Sequence, residues 1–355
     1  MSTGQVVHGG VDDAELRTHG LARDGVLDFS SNVNPLGASP LVRKAAAAVD
    51  LSAYPDRDCL LLREALAARL DLGVEHLLIG NGSTELIHLL ARAFLRAGSR
   101  CLVFTPTFGE FEAAAAQVGA DVRIVSAHLE SGFNWSIAEA VQAIGTLRPA
   151  LIFLCNPNNP TGVYMDRAAV QELSAALGPS GLLVLDTSYV PFADEPWDAT
   201  PLLSRGNVAL LRSMTKDHGL AGVRLGYVAA QPPIVEATRC LQPSWSVSAI
   251  AQAAGIAALA SEAHVAEARR VIREAKACLV DQLSALDVPA SPSAANFVLA
   301  RVGDATAVRQ HLLSKGIMVR DCTSFGLPAY IRIAIRRPAE CARLISALQE
   351  ALTHD

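Results

Sequence analysis

The amino-acid sequence predicts an α/β protein, with a large, mostly parallel sheet wound on both faces and a smaller α+β unit. From about residue 75 to about residue 230, short apolar segments alternate with segments of helical period. The apolar segments, interpreted as strands, are Leu77–Ile79, Cys101–Phe104, Val122–Val125, Leu151–Cys155, Leu182–Leu185, Val208–Leu211 and Leu225–Val228. Because these strands are apolar on both faces, they are typical of a parallel sheet that helices cover on each side.

Helical segments complete this alternation and continue beyond it. Thr84–Leu95 and Arg167–Leu177 lie between predicted strands, whereas Ala251–Leu259 and His264–Leu286 follow the last of them. The rest of the chain predicts the α+β unit, through Phe297–Ala300, Ala305–Ser314, Ile317–Val319, Ile331–Ile335 and Ala339–Leu352.

The chain is therefore expected to divide into three regions. Residues 1–40 are irregular, with turn clusters at His8–Gly10 and Ser31–Gly37, and are expected to pack with the small domain. Residues 41–250 form the predicted large domain, and residues 251–355 form the predicted small C-terminal α+β domain.

Composition and charge exclude several classes of function. The formal net charge is −5 and the pI is about 6.0, so no basic field favours nucleic acid. No apolar run is long enough to span a bilayer, and the N-terminus does not resemble a secretory signal. The seven cysteines contain no Cys-x-x-Cys pair, which argues against zinc and against a disulfide framework. We expect a soluble cytoplasmic protein with no metal, membrane or nucleic-acid partner.

Lys216 is the first candidate for a chemical role. It is one of four lysines, and it follows an apolar strand and precedes Arg224. Lys44 and Lys276 lie in helical patterns, and Lys315 lies at an apparent helix end, where a cation suits the helix dipole. A lysine just beyond a strand can be desolvated enough to lose its proton and attack a carbonyl. The position predicts a Schiff-base lysine.

A glycine-rich turn follows the first strand of the large domain. Gly82, Ser83 and Thr84 open the next helix, so backbone amides, hydroxyls and the helix N-terminus could bind an anion there. Such turns also occur before ordinary helices, so the motif alone does not establish a phosphate site. Ser213 and Arg224, on either side of Lys216, could complete it.

Polar and aromatic residues follow other strands at the same predicted edge. Asp186 could pair with a protonated ring nitrogen, or it could simply cap a turn. Asn159, in a proline-rich turn, could present its amide to a ring oxygen. Phe108 could stack on a flat cofactor or pack in the core. Arg332, inside an apolar strand, requires either a bound carboxylate or a structural ion pair.

Together, and in this order, the motifs resemble the fold-type I pyridoxal-phosphate enzymes, aminotransferase class I and II, across nearly the whole chain. The resemblance implies a Schiff base between the cofactor and Lys216, a pyridinium partner in Asp186 and a ring stack on Phe108. It also implies that Asn159 and Tyr189 hydrogen-bond the ring oxygen O3′.

The same resemblance implies how the cofactor phosphate and the substrate are held. The implied phosphate ligands are Gly82, Ser83, Thr84, Ser213, Arg224 and, from the partner subunit, Tyr54. The family builds its sites at a subunit interface, so we expect a homodimer with shared active sites and an amino acid substrate. Arg332 would bind the substrate carboxylate.

Within the family, the pattern is similar to the histidinol-phosphate aminotransferase group, which includes the threonine-phosphate decarboxylases of cobalamin synthesis. The His8–Gly10 motif, the Trp245–Val247 motif and the strand that ends at Arg336 favour the decarboxylase. In such an enzyme His8, Asn32 and Arg336, with Arg320, would hold the substrate phosphate and carboxylate.

We therefore expect an L-threonine-O-3-phosphate decarboxylase that forms (R)-1-amino-2-propanol phosphate. The alternative is a histidinol-phosphate aminotransferase, or a related amino acid aminotransferase, that uses 2-oxoglutarate. Tyr189, where the decarboxylases tend to have phenylalanine, favours this alternative. A third interpretation, a regulatory module that senses pyridoxal phosphate, lacks a DNA-binding element, because residues 1–40 are too short and insufficiently basic.

Overall fold

The computed structural model describes residues 6–353, so residues 1–5 and 354–355 of the predicted terminal regions lie outside it. The strands are β1 (Leu27–Asp28), β2 (Leu77–Gly80), β3 (Arg100–Thr105), β4 (Asp121–Ser126), β5 (Leu151–Cys155), β6 (Leu182–Asp186), β7 (Val208–Ser213), β8 (Gly226–Ala229), β9 (Ala290–Ser291), β10 (Phe297–Arg301), β11 (Ile317–Met318), β12 (Arg320–Asp321) and β13 (Tyr330–Ala334). The helices are α1 (Asp13–Thr18), α2 (Pro40–Ala47), α3 (Leu60–Leu70), α4 (Gly82–Phe94), α5 (Glu110–Gln117), α6 (Ile137–Leu147), α7 (Arg167–Leu177), α8 (Pro232–Arg239), α9 (Ala249–Leu259), α10 (Glu262–Ala285), α11 (Ala305–Ser314) and α12 (Pro338–Thr353).

The central sheet has seven strands in the order β2-β8-β7-β6-β5-β3-β4. The pairs from β7 to β4 are parallel, and β8 is antiparallel to both of its neighbours. Both faces are buried: Val103 of β3 belongs to the apolar cluster that contains Leu90 and Phe111, whereas Leu102 belongs to the cluster that contains Val170. The predicted α/β class and mostly parallel sheet are confirmed.

Helix α7 illustrates how local chemistry sets the ends of a helix. The side chain of Asp166 accepts a hydrogen bond from the amide of Ala169 and caps α7, which ends before Gly178 in a positive-φ conformation. The prediction of a helix over Arg167–Leu177 is therefore confirmed at both ends. Within residues 6–353 no single helix is long and apolar enough to cross a membrane, although α9 and α10, bent by 76°, pass that test as a pair.

The second sheet is antiparallel, with strand order β12-β13-β10-β9, and packs with α10 and α12 in one apolar cluster. The N-terminal segment joins this unit, because β1 pairs in parallel with β11. Leu16 of α1 packs near Leu313 and Met318, and Glu15 pairs with Arg309 at 2.7 Å.

Two local details differ from the prediction. Strand β11 ends one residue before the predicted segment Ile317–Val319 does, and the chain then turns so that a further short strand, β12, pairs with β13. Helix α9 lies mostly within the predicted small domain, yet its residue Ala254 belongs to the apolar cluster of Leu62 and Leu66 in α3. The small side chains of α9 allow this close packing against the large domain.

The parallel strands bring their carboxyl ends to one edge of the central sheet. In the register of the sheet, Cys155 at the end of β5 lies opposite Asp186 at the end of β6. Asp186 in turn lies opposite Leu211, two residues before Ser213 ends β7. Polar residues that follow these strands therefore meet at this edge, where α/β sheets commonly bind ligands.

Candidate active site

A cavity of about 340 Å³ opens at this edge of the sheet, beneath the N-terminal segment. Its wall includes twelve of the residues that the sequence selected, namely His8, Asn32, Ser83, Thr84, Phe108, Asn159, Asp186, Tyr189, Ser213, Lys216, Arg224 and Arg332. Gly82 lies beside the wall, since a Cβ there would be 2.6 Å from Nη2 of Arg224. Residues from almost the whole length of the chain thus converge on one cavity.

Lys216 follows β7 and lines the cavity, where it is partly exposed. Burial, assisted by the positive charges of Arg332 and Arg224, lowers the pKa of its amine to about 8. A larger fraction of such an amine than of an ordinary lysine is neutral near physiological pH, and only the neutral amine can attack a carbonyl carbon. The electrostatics of the cavity are therefore suited to Schiff-base chemistry.

Asp186 ends β6 and is 5% exposed. Burial raises the pKa of its carboxyl group, whereas hydrogen bonds from Ser188 lower it. The backbone amide of Ser188 donates to Oδ1 at 2.9 Å. Asp186 forms no salt bridge with any residue between 6 and 353, so its carboxylate is available to a cationic ligand such as a protonated ring nitrogen.

The N-terminus of α4 forms an anion-binding corner of the cavity. The N-cap residue Asn81 makes no side-chain hydrogen bond to the helix, so the first amides are available to a ligand. Gly82, at φ +80°, permits the close approach of the exposed Arg224 guanidinium. The hydroxyls of Ser213 and Thr215, 2.6 Å apart, belong to the same cavity. Amides, hydroxyls and a guanidinium together fit a phosphate group.

Arg332 lies on β13 and is 5% exposed. One terminal nitrogen donates to Oδ1 of Asn159, and the other donates to the carbonyl oxygen of Ser30 at 2.6 Å. Nε is buried without a hydrogen-bond partner, and burial lowers the pKa of the guanidinium. No carboxylate in the described part of the chain pairs with it, so a structural ion pair is the wrong explanation. A bound carboxylate fits this arginine.

Tyr189 and Phe108 contribute the aromatic part of the wall. Nδ2 of Asn32 donates to the Tyr189 hydroxyl at 3.1 Å, and burial raises the pKa of this phenol to about 12. Tyr189 therefore remains a neutral hydrogen-bonding group. Phe108 is half-buried, and its ring centroid lies 5.7 Å from that of His8. A flat aromatic side chain at this position suits a planar ring.

Two of the predicted substrate-binding arginines lie outside the cavity wall. Arg336 pairs with Glu340 at 2.8 Å and donates to the carbonyl oxygen of Asp28. Arg320 donates to the hydroxyl of Ser324 at 2.6 Å and to the backbone of the N-terminal segment. The charge of Arg336 is therefore paired with a carboxylate, whereas Arg320 uses one terminal nitrogen for both of these hydrogen bonds.

Tyr54, which the resemblance assigns to the partner's site, is also absent from the cavity of its own chain. It is 81% exposed, and its ring lies 4.9 Å from that of Trp245. Both aromatic side chains are therefore presented at the surface.

Sequence reasoning missed several residues of the site. Ser188, which hydrogen-bonds Asp186, lies at the spacing typical of an Asx turn, and this signal could have identified it. Glu110, which contacts His8, is separated from it by 102 positions and carries no local signal.

These residues fit pyridoxal phosphate, a cofactor that supplies an electron sink for negative charge at the substrate Cα. Lys216 is suited to attach its carbonyl carbon, and Asp186 is suited to hold the proton on its ring nitrogen. Phe108 offers a face for the ring, and the N-terminus of α4 offers amides for the phosphate.

Comparison with known proteins agrees with this geometry. Residues 24–348 match the model of the family aminotransferase class I and II. The chain is 37% identical over 334 residues to histidinol-phosphate aminotransferase of Moorella thermoacetica, which covers 92% of this chain and 86% of the relative. It is also 37% identical to the enzyme of the same name from Symbiobacterium thermophilum, over 95% of this chain and 92% of the relative.

Solved structures give the same result. Histidinol-phosphate aminotransferase from Sinorhizobium meliloti, in complex with pyridoxal-5′-phosphate, superposes with a TM-score of 0.89 at 27% identity, covering 97% and 95% of the two chains. L-threonine-O-3-phosphate decarboxylase from Porphyromonas gingivalis superposes with a TM-score of 0.79 at 29% identity, covering 92% of this chain and 99% of the other. The chain therefore belongs to the aminotransferase class I and II family and is a pyridoxal-phosphate-dependent enzyme of fold type I.

Proposed function

We propose that the protein is an aminotransferase that takes histidinol phosphate, or a closely related phosphorylated amine, as amino donor and 2-oxoglutarate as acceptor. Both curated relatives described above are histidinol-phosphate aminotransferases, and each aligns with more than nine-tenths of this chain. The cavity offers a buried guanidinium, Arg332, for the carboxylate of the acceptor.

One structural observation favours transamination over decarboxylation. The decarboxylase interpretation assigned the substrate phosphate to His8, Asn32 and Arg336. In the structure Arg336 pairs with Glu340 outside the cavity, and Asn32 donates to Tyr189. The charge of Arg336 is thus already paired with a carboxylate, whereas no carboxylate between residues 6 and 353 pairs with Arg332. Together with the names of the relatives, this supports the aminotransferase, the alternative in the sequence analysis, ahead of the decarboxylase that we expected first.

In this proposal each residue has a defined task. Lys216 would accept the proton from the donor Cα as a neutral amine and would deliver a proton to the acceptor Cα in its protonated form. Asp186 would keep the ring nitrogen of the cofactor protonated, and Asn159 and Tyr189 would hydrogen-bond the ring oxygen. Arg332 orients the acceptor through its carboxylate, so that the bond to be broken is held in a reactive direction.

A second candidate is L-threonine-O-3-phosphate decarboxylase. It is favoured by His8 and Gly9, which line the cavity, and by the likeness to the decarboxylase from Porphyromonas gingivalis. Asn32 supports it in part, because Oδ1 of this side chain is buried without a partner.

We also propose that the protein is a homodimer with shared active sites. The exposed surface of this part of the chain includes three large apolar side chains that are near one another in sequence: Tyr54, at 81%, Leu51, at 78%, and Leu61, at 68%. Trp245, which contacts Tyr54, is 50% exposed. Exposed large apolar side chains close together are typical of a subunit interface. A second copy on this surface would bring Tyr54 to the partner's phosphate-binding corner.

The two activities are distinguished by incubating the holoenzyme with each substrate. With histidinol phosphate and 2-oxoglutarate we expect sustained formation of L-glutamate, because Lys216 can move the Cα proton. With O-phospho-L-threonine we expect no sustained release of CO₂. Sustained CO₂ release without glutamate formation would establish the decarboxylase and reject the aminotransferase.

The lowered pKa of Lys216 predicts the pH dependence of cofactor attachment. Only the neutral amine reacts, so the rate at which the apoprotein takes up pyridoxal phosphate should rise with pH and level off above about pH 8. Stopped-flow absorbance, with a fixed cofactor concentration, measures this rate. An unperturbed lysine would give a rate that still rises at about pH 10, and that result would contradict the burial argument.

Subunit complementation tests the shared sites. Lys216→Ala and Tyr54→Ala each damage every site of their own homodimer, but a mixed dimer has one site with both changes and one with neither. Mixing the two variants should therefore restore up to about a quarter of wild-type activity at limiting cofactor. Lys315→Ala, at an exposed lysine that does not line the cavity, is the control. Mixing it with Tyr54→Ala should give no more activity than the two variants contribute separately. Failure to complement, with mixed dimers demonstrated by differential tags, would place Tyr54 outside the partner's site.

A further inference from the structure

A buried carboxylate lies just outside the cavity and contacts two histidines. Glu110, in the first turn of α5, is 7% exposed. Its Oε1 lies 2.7 Å from Nε2 of His8, and its Oε2 lies 2.9 Å from Nε2 of His88 in α4. Each carboxylate oxygen thus has an imidazole donor, which offsets the cost of burying the group.

The arrangement is a direct hydrogen-bonded chain rather than a metal site. Both contacts have the length of charge-assisted hydrogen bonds, which leaves no space for an ion between the groups. Between residues 6 and 353 there is also no group of three or more His, Cys, Asp or Glu side chains placed to hold a metal.

His8 is the point at which the N-terminal segment contacts α5. The segment is also held by Arg320, which donates to the carbonyl oxygen of Val7 at 2.8 Å. The amide of Gly10 donates to the hydroxyl of Ser30 at 2.8 Å. The side chain of His8 lines the cavity but is still 48% exposed, so a ligand can reach it. Glu110 therefore connects the segment to the large domain beside the cavity.

We propose that Glu110 is a positioning residue that orients His8 toward the anionic end of the substrate. Because Nε2 of the ring is directed at Glu110, Nδ1 is the nitrogen left for a ligand. His88 holds the carboxylate from the opposite side and fixes its direction. The choice of a phosphorylated amine as the ligand rests on the proposed function.

Glu110→Gln is the variant that separates charge from shape. Glutamine has the same size but no charge, so it weakens the contact with His8 without opening a cavity. Glu112→Gln is a matched control, because Glu112 lies in the same first turn of α5 and its loss removes the same interaction with the helix dipole. Glu112 does not line the cavity.

Hydrogen exchange of the holoenzyme tests whether Glu110 holds the segment. In Glu110→Gln we expect exchange in a peptide that covers residues 6–12 to become about tenfold faster, since a contact that restrains the segment is weakened. Peptides from β5 and β6 should be unchanged, which shows that the fold is intact. Glu112→Gln should match the wild type throughout. Exchange of residues 6–12 at the wild-type rate in Glu110→Gln would overturn the proposal.

A double-mutant cycle tests whether Glu110 acts through His8. Glu110→Gln should raise KM for histidinol phosphate about tenfold, a loss of about 1.4 kcal/mol, with little change in kcat. In the His8→Ala background the same change should have no further effect, because its route of action has been removed. Additive losses, or a loss confined to kcat, would mean that Glu110 does not position His8.

The outcome is separable from that of the proposed function. If histidinol phosphate is not turned over, the aminotransferase proposal fails, and the same cycle is measured with O-phospho-L-threonine, which also carries a phosphate. The exchange measurement does not depend on any substrate. His8→Ala, which removes the contact at a half-exposed side chain, keeps the test available if Glu110→Gln folds poorly.

Discussion

Desolvation of Lys216 is the constraint on which the rest of the site depends. The amine lies where burial, Arg332 and Arg224 all disfavour its charged form. Lys276 is also buried enough for its pKa to fall, but its amine donates to the carbonyl oxygen of Ser293 at 2.8 Å and so remains engaged by the backbone. Burial alone therefore does not make a nucleophile. Placement at the cavity, without a competing acceptor among residues 6–353, distinguishes Lys216.

The parallel sheet explains why the other groups meet at this lysine. Strands that run in one direction end at one edge, and the polar residues that end or follow each strand meet there. The register places Asp186 beside the strand that leads to Lys216, while α4 begins nearby with free amides. The second sheet adds Arg332, so the cavity is completed only when both units pack together. The site therefore depends on the packing of the whole fold.

The sequence predicted most of the fold and much of the site, for identifiable reasons. Strands buried on both faces produce continuous apolar runs, so their positions were found to within one or two residues. We expected Arg336 to bind the substrate, but it pairs with Glu340, four positions later in α12. The motif around Arg336 did not indicate this ion pair. The contact of His8 with Glu110 joins segments that are distant in sequence, so no periodic pattern of residues predicts it. The environment of Tyr54 depends on a second chain, which one sequence does not contain.

The most direct test of the account is to identify the residue that carries the cofactor. Borohydride reduction of the holoenzyme converts the carbon–nitrogen double bond between lysine and cofactor into a stable single bond. Peptide mapping by mass spectrometry then locates the label among the four lysines of the chain. The account predicts that the label lies on the peptide that contains Lys216. A label on Lys44, Lys276 or Lys315, or a protein that reduction leaves unlabelled, would contradict it.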